Sequence, residues 1–89
     1  MENKIEVVRI CKTDPAGFLK AFVDIVYDNV ILIKGIRVVD SKEGLYVAMP
    51  RERGKDGRWY ELVTIITKEG VELIEKTVLE AYDLYPEVS

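Results

Sequence analysis

The stretch LKAFVDIVYDNVILIKGIRVV, residues 19–39, decides the fold because it contains two long strands joined by a short turn. In its first half every second residue is apolar, which is typical of a strand with one face in a core. Asp28-Asn29 separates the two apolar runs and predicts a two-residue hairpin turn. The second strand, residues 30–39, changes phase at Lys34-Gly35, and a glycine at such a point indicates a β-bulge. The first strand's apolar face consists of Leu19, Ala21, Val23, Ile25 and Tyr27.

Further strands are predicted on both sides of this hairpin. Residues 5–12 mix Ile, Val and Arg, and their alternation slips at Val7-Val8, which suggests a bulge or burial on both faces. We expect Cys11, within this strand, to be a small core residue. Residues 45–49 alternate up to Pro50, and residues 58–66 form a fifth strand. The second face of the long strand carries Phe18, Phe22 and Val26, so we expect that face to be partly covered.

The carboxyl end of the chain changes to a helical period. Thr67 is a plausible N-cap and Pro86 should end the helix. We expect Val71, Ile74 and Val78 to be buried against the sheet, because apolar residues recur at spacings of three and four, at Val71, Ile74, Val78, Ala81, Tyr82 and Tyr85. Acidic residues occupy positions expected to be exposed, namely Glu72, Glu75, Glu80 and Asp83. These acidic side chains would repel the phosphates of a nucleic acid. We therefore predict that the helix is a structural lid on the sheet and not the element that recognises DNA.

These elements predict an α+β fold, an antiparallel β-meander of about five strands with one C-terminal helix packed on the sheet. The 89 residues form a single domain, 1–89. No stretch reaches the roughly 18 apolar residues of a membrane span, and the amino terminus has no apolar signal region. We therefore expect a soluble cytoplasmic protein that does not engage a membrane.

The chemistry of most enzymes is missing from the sequence. There is no histidine, and one cysteine can form neither a disulfide framework within the chain nor a zinc site. No glycine-rich phosphate cradle occurs. Pairs of acidic residues on solvated faces are far more often solubilising than catalytic. We expect no enzyme activity, no catalytic residue, no metal, no cofactor and no small-molecule substrate.

Charge is unevenly distributed along the chain. Residues 1–60 carry 11 Lys and Arg against 9 Asp and Glu, a net charge of +2, and residues 61–89 carry 2 against 7, a net of −5. Between Pro50 and Trp59, four cations occur in eight residues, Arg51, Arg53, Lys55 and Arg58. The triplet Lys55-Asp56-Gly57 predicts a tight turn, so this segment should be a protruding hairpin loop.

The basic loop has two interpretations. It is either a solvated turn that keeps a strand end soluble, or a contact site for nucleic-acid phosphates, which arginine binds through its forked guanidinium. Lys34 and Arg37 would extend the site if their strand lies beside the loop. Trp59 could offer a face to a base or to a guanidinium, although we expect it to be partly in the core.

Three segments together resemble the SpoVG family, the stage V sporulation protein G septation regulators. They are IRVVD (36–40), GLYVAMP (44–50) and a basic loop that ends in Asp56-Gly57. The resemblance extends from Ala21 to Tyr82. The chain departs from the family at residues 63–66, where the family commonly has Ala-His-Pro-Ile, in the residues of its basic loop, and in nearly lacking an acidic tail.

The resemblance implies a small cytoplasmic bacterial protein that dimerises, binds DNA and RNA, and regulates gene expression, with effects on septation and sporulation in spore formers. The alternative is a protein-interaction module that acts on septation without touching nucleic acid. For the homodimer we expect pairing through sheet edges, with either residues 18–27 or residues 30–39 crossing a two-fold axis.

Overall fold

The computed structural model describes residues 4–84. A four-stranded antiparallel sheet has the order β1-β2-β3-β4, β5 and β6 form a separate two-stranded ribbon, and one helix, α1, follows. The α+β class and the C-terminal helix are therefore confirmed. The elements are β1 (Ile5–Lys12), β2 (Leu19–Tyr27), β3 (Ile31–Ser41), β4 (Gly44–Ala48), β5 (Arg51–Arg53), β6 (Trp59–Glu61) and α1 (Lys68–Leu84).

The hairpin between β2 and β3 turns where the sequence predicts it. Asp28 and Asn29 have φ values of 54° and 58°. Positive φ at both central residues is the conformation that matches the twist of paired strands, and Asp and Asn adopt it more readily than other non-glycine residues. The backbone N–H of Val30 donates to the Tyr27 carbonyl at 3.0 Å and closes the turn.

The predicted bulge lies at Lys34-Gly35. Val23 is paired with Ile36 and Ile25 with Ile33, so Asp24 alone faces two residues of β3. Gly35 has a φ of 82°, and its N–H donates to the Asp24 carboxylate at 3.0 Å. The extra residue keeps the apolar side chains before and after the bulge on the same face of the sheet. Ile33 and Ile36, one on each side of it, are both buried. A second predicted irregularity, at Val7-Val8 in β1, is also present.

The core lies between the sheet and the helix. Helix α1 packs against β1 and β4, the two outer strands, and so crosses one face of the sheet. Thr67 caps the helix by accepting a hydrogen bond from the Gly70 N–H at 3.0 Å. Predicted acidic positions on the helix are exposed, as expected for a lid. The buried apolar residues are Ile10, Ala21, Val23, Ile25, Ile33, Ile36, Val38, Ile74 and Val78.

Two side chains that were predicted to be buried, Val71 and Cys11, are exposed in the structure. Val71, predicted to be buried, is 46% exposed because it faces a cleft beside β4. Cys11, predicted to be in the core, is exposed because it pairs with Phe22 on the face of the sheet away from the helix. Tyr85, predicted to belong to the apolar stripe of the helix, and Pro86, predicted to end it, lie outside the described residues.

The predicted fifth strand is shorter than the sequence suggests and joins a different sheet. Of residues 58–66, only 59–61 form a strand, and they pair with β5. Residues 62–66 have no regular secondary structure although they are rich in β-branched side chains. Pro50 lacks an N–H and ends β4, so the chain leaves the main sheet before β5 begins.

This arrangement changes which edges are free. Strand β2, predicted as a candidate for pairing across a two-fold axis, has a partner on both sides, so that candidate was wrong. Strand β3 pairs with β4 only over residues 37–41. Within the described part of the chain, residues 31–36 therefore have a strand neighbour on one side only, and half of β3 is a sheet edge.

Residues 4–84 include no helix that is long and apolar enough to cross a membrane.

Replacing Ile74 by alanine should lower the free energy of unfolding by about 2–5 kcal/mol, because the deletion leaves a cavity between the helix and the sheet. Val71→Ala, three residues away on the same helix, is the control and should cost clearly less because Val71 is half-exposed. Urea denaturation of both variants measures the difference. Equal losses would show that the helix presents a different face to the sheet.

Candidate nucleic-acid interface

The four predicted loop cations lie on one β-hairpin, which we call the ribbon (residues 51–61). Its arms are β5 and β6, paired in the register Arg51 with Glu61, Glu52 with Tyr60, and Arg53 with Trp59. The predicted hairpin is present, but its first arm is a strand and only residues 54–58 form the turn. All four cationic side chains are exposed. We refer to Arg51, Arg53, Lys55 and Arg58 as the ribbon cations.

Alternation along the strands sorts the ribbon into two faces. Arg51 and Arg53 share one face with Trp59 and Glu61, while Glu52 and Tyr60 share the other. The Arg51 guanidinium lies 4.9 Å from the centroid of the Trp59 ring, a cation–π contact. Trp59 is 51% exposed, so its predicted burial was wrong: the ribbon stands apart from the core. One face of the ribbon therefore presents two arginines, an accessible indole and the carboxylate of Glu61.

The turn of the ribbon is held by backbone hydrogen bonds. The Gly54 N–H donates to the Arg58 carbonyl at 2.7 Å, and the Gly57 N–H donates to the Gly54 carbonyl at 3.0 Å. Gly57 has a φ of 82°, a conformation that glycine adopts without strain. Gly54 is in close contact with the Tyr60 ring, since a Cβ added there would lie 2.6 Å from Cε2. The two glycines thus fix where Lys55 and Arg58 emerge.

Asp56 keeps its charge within this cationic turn. The Tyr60 hydroxyl donates to Asp56 Oδ2 at 2.6 Å, and the Arg58 N–H donates to Asp56 Oδ1 at 3.0 Å. These bonds, the Tyr60 one foremost, lower the pKa of the Asp56 carboxyl. The same interaction raises the pKa of Tyr60, because its ionisation would place two anions together. Asp56 thus acts as an internal brace for the turn.

Arg37 lies beside the strand from which the ribbon emerges. It pairs with Ala48, three residues before Arg51. It is half-buried on the face of the sheet away from the helix, and its Nε is buried without a hydrogen-bond partner among the described residues. Lys34 is exposed in the bulge, beyond the end of β4. The structure therefore brings Arg37 next to the base of the ribbon and places Lys34 on the free half of β3.

The sequence predicts the cations and a possible guanidinium contact with Trp59, which is confirmed, but it does not predict the Tyr60–Asp56 hydrogen bond. The Arg51–Trp59 contact follows from the ribbon register, and its signal was the alternation of Arg51 and Arg53 before a turn. The Tyr60–Asp56 bond had no recognisable signal beyond a spacing of four residues. Within residues 4–84, no group of three or more His, Cys, Asp or Glu side chains is positioned to hold a metal ion.

Fold and ribbon together define a small α+β protein with a four-stranded sheet, a covering helix and a projecting cationic hairpin. The chain belongs to the SpoVG family, whose sequence profile matches residues 3–84. This confirms the resemblance noted from the sequence.

Several curated relatives are named "Putative septation protein SpoVG". The protein of Archaeoglobus fulgidus is 37% identical over 89% of this chain and 93% of its own length. That of Treponema denticola is 32% identical over 93% of this chain and 89% of its own. The Symbiobacterium thermophilum protein is 39% identical over 90% of this chain, which spans only 57% of that relative's length.

Replacing Asp56 by asparagine should allow Tyr60 to ionise at lower pH, since the neighbouring anion that raises its pKa is gone. Absorbance titration, with Tyr60→Phe used to isolate the Tyr60 signal, measures the change. Asp14→Asn, the same charge change in the turn after β1, is the control. An unaltered Tyr60 titration in Asp56→Asn would contradict the assigned hydrogen bond.

The same pair sets the pH range over which the turn is braced. The folded pKa of Asp56 is lowered, so its contribution is present above about pH 4 and is lost as the pH falls through the folded value. The folded pKa of Tyr60 is raised, so its contribution is present below about pH 10 and is lost as the pH rises through the folded value. The ribbon should therefore stay ordered throughout the neutral range.

Proposed function

We propose that this protein is a nucleic-acid-binding regulator of the SpoVG type, which binds DNA or RNA through the ribbon and influences gene expression, septation and sporulation. The observation that carries the proposal is the exposure of all four ribbon cations on one braced hairpin. The names of the relatives support the septation part of the role. The nucleic-acid part rests on the family resemblance and on the chemistry of the ribbon.

Arginine and lysine on a projecting hairpin are suited to phosphate contacts. A two-stranded ribbon is narrow enough to enter a major groove or to lie along a single strand. Each Arg offers a forked set of donors to phosphate oxygens, and Lys55 adds a point charge at the tip. The exposed Trp59 ring offers a stacking face, although Arg51 already covers part of it.

Arg37 and Lys34 extend this proposed surface onto the sheet. Arg37 has a buried Nε that lacks a partner among the described residues, and a buried unpaired donor is costly. The acidic helix covers the other face of the sheet and repels phosphates, so it favours approach from the ribbon side.

We also propose a homodimer formed through the free half of β3. Residues 31–36 present unpaired N–H and C=O groups, a template for a further strand. Val30, Ile31 and Leu32 are each at least half exposed there, which is unusual for apolar residues beside an open edge. Antiparallel pairing of this segment with its copy would satisfy the backbone and cover these side chains.

The proposed role is cytoplasmic and not enzymatic, with no cofactor, metal or small-molecule substrate. The absence of histidine from the sequence and the noncatalytic chemistry of the ribbon support it. The competing role, a septation module that binds only proteins, predicts that the ribbon cations can be removed without loss of function.

Removing ribbon cations should weaken binding to oligonucleotides of any sequence and reduce its dependence on salt. Four phosphate contacts per protomer give a slope of log affinity against log salt of roughly −3 to −4, and each alanine substitution should flatten it by about one unit. Melting temperature should hardly change, since exposed charges contribute within about ±0.5 kcal/mol. Lys42→Ala, an exposed lysine in the turn between β3 and β4, is the control. If a variant with all four ribbon cations replaced by alanine folds and keeps the parent's slope of log affinity against log salt, the ribbon is only a solvated turn.

Introducing lysine at Leu32 should convert the dimer to a monomer, because the new charge would face its own copy and Lys34 across the paired edge. Sedimentation at micromolar protein measures the mass. Val8→Lys, at a similarly exposed valine on the opposite edge, should leave the dimer intact. A parent protein that is monomeric at every concentration, or a Leu32→Lys variant that still dimerises, would contradict the proposed edge.

A further inference from the structure

A cleft opens where the ribbon joins the rest of the protein. It lies between β4, the base of the ribbon, the coil that follows it and the first half of α1, and its volume is about 420 Å³. Its walls are mixed, with the apolar side chains of Val47, Met49, Ile65 and Val71 beside polar and charged ones. The exposure of Val71, which the helical pattern predicts to be buried, is explained by this opening. A cleft of this size and character falls within the range of small-ligand sites.

The charged groups that line the cleft are one cation and two anions. Arg51 lies at the ribbon side, where its guanidinium is over Trp59, and Glu61 and Glu75 line the same cleft. Glu61 accepts one hydrogen bond, from the Thr64 hydroxyl at 2.8 Å. Neither carboxylate forms an ion pair with another described residue. The lining of the cleft therefore offers apolar side chains, two acceptor-only carboxylates and one cation, Arg51.

We infer that the cleft receives one unstacked base of a single-stranded nucleic acid and selects bases that carry an exocyclic amino group. This inference rests on the proposed binding of phosphates by the ribbon. Carboxylates accept hydrogen bonds and cannot donate them, so they match the amino group of cytosine, adenine or guanine. Thymine and uracil offer a carboxylate only their ring N3–H, which lies between two carbonyl oxygens that the carboxylate repels. The apolar side chains of the lining contact the faces of the base.

The charges also fix the orientation of the strand. Glu61 and Glu75 repel phosphates, which disfavours entry of the backbone, while Arg51, paired opposite Glu61 where the cleft meets the ribbon, attracts them. Entry of the base is therefore favoured over entry of the backbone. A base within a duplex is stacked and paired, so this mode requires a single strand, a loop or a nucleotide turned out of a helix.

The test compares oligo(dC) with oligo(dT) of equal length at one salt concentration. The parent protein should bind oligo(dC) at least about fivefold more tightly, the ratio expected from one good base contact. Glu75→Ala should abolish this ratio by weakening only oligo(dC), while oligo(dT) binding stays the same or improves. Glu72→Ala, the same charge change on α1 outside the cleft, should preserve the ratio. Val71→Phe, which fills the cleft from a half-exposed position, should also remove it.

The outcomes separate the cleft from the ribbon. If the parent binds neither oligonucleotide, the ribbon proposal fails and the cleft proposal fails with it. If both bind equally with the expected salt slope, the ribbon proposal stands and the base-selective cleft is overturned. A ratio lost equally in Glu72→Ala and Glu75→Ala would also overturn it, because general repulsion by the helix would then explain the preference. If instead a basic peptide displaces oligo(dC) only while Glu75 is present, the cleft binds a protein side chain and the inference is wrong.

Discussion

The hydrogen bond from the Gly35 N–H to the Asp24 carboxylate fixes the phase on which the rest of the sheet depends. It closes a bulge in which two residues of β3 face one residue of β2. Without the extra residue, a strict alternation would turn Ile36 and Val38 away from the helix, since a shift of one residue exchanges the two faces of a strand. With it, both side chains are fully buried. The register of β4, and so the point at which the ribbon leaves the sheet, follows from this phase.

The ending of β4 at Ala48 has two structural consequences. The chain turns out of the sheet at Pro50 and forms the ribbon, and residues 31–36 of β3 are left without a second neighbour. The proposed nucleic-acid surface and the proposed dimer edge thus arise from the same event. The exposed acidic residues of helix α1 repel an anionic ligand. The ribbon side of the molecule is therefore the favourable side for such a ligand to approach.

The sequence predicts the elements that depend on local patterns and fails where long-range geometry decides. Alternation, the Asp28-Asn29 turn, the Gly35 bulge and the Thr67 cap each depend on neighbouring residues, and all are present. Residues 62–66 have strand propensity yet form no strand, because propensity cannot supply a partner to pair with. The exposure of Trp59 and Cys11 was missed for a related reason. Which face of a short strand is covered depends on where the ribbon and the helix lie, and neither position is encoded locally.

The central claim is that an acidic protein binds nucleic acid through one cationic ribbon. Backbone amide chemical shifts, recorded while a short single-stranded oligonucleotide is added to the isotope-labelled protein, test this most directly. The account predicts saturable shifts at residues 51–61 and at Arg37, with α1 beyond the cleft unchanged. Shifts concentrated on the exposed helix positions, with the ribbon unperturbed, would contradict it.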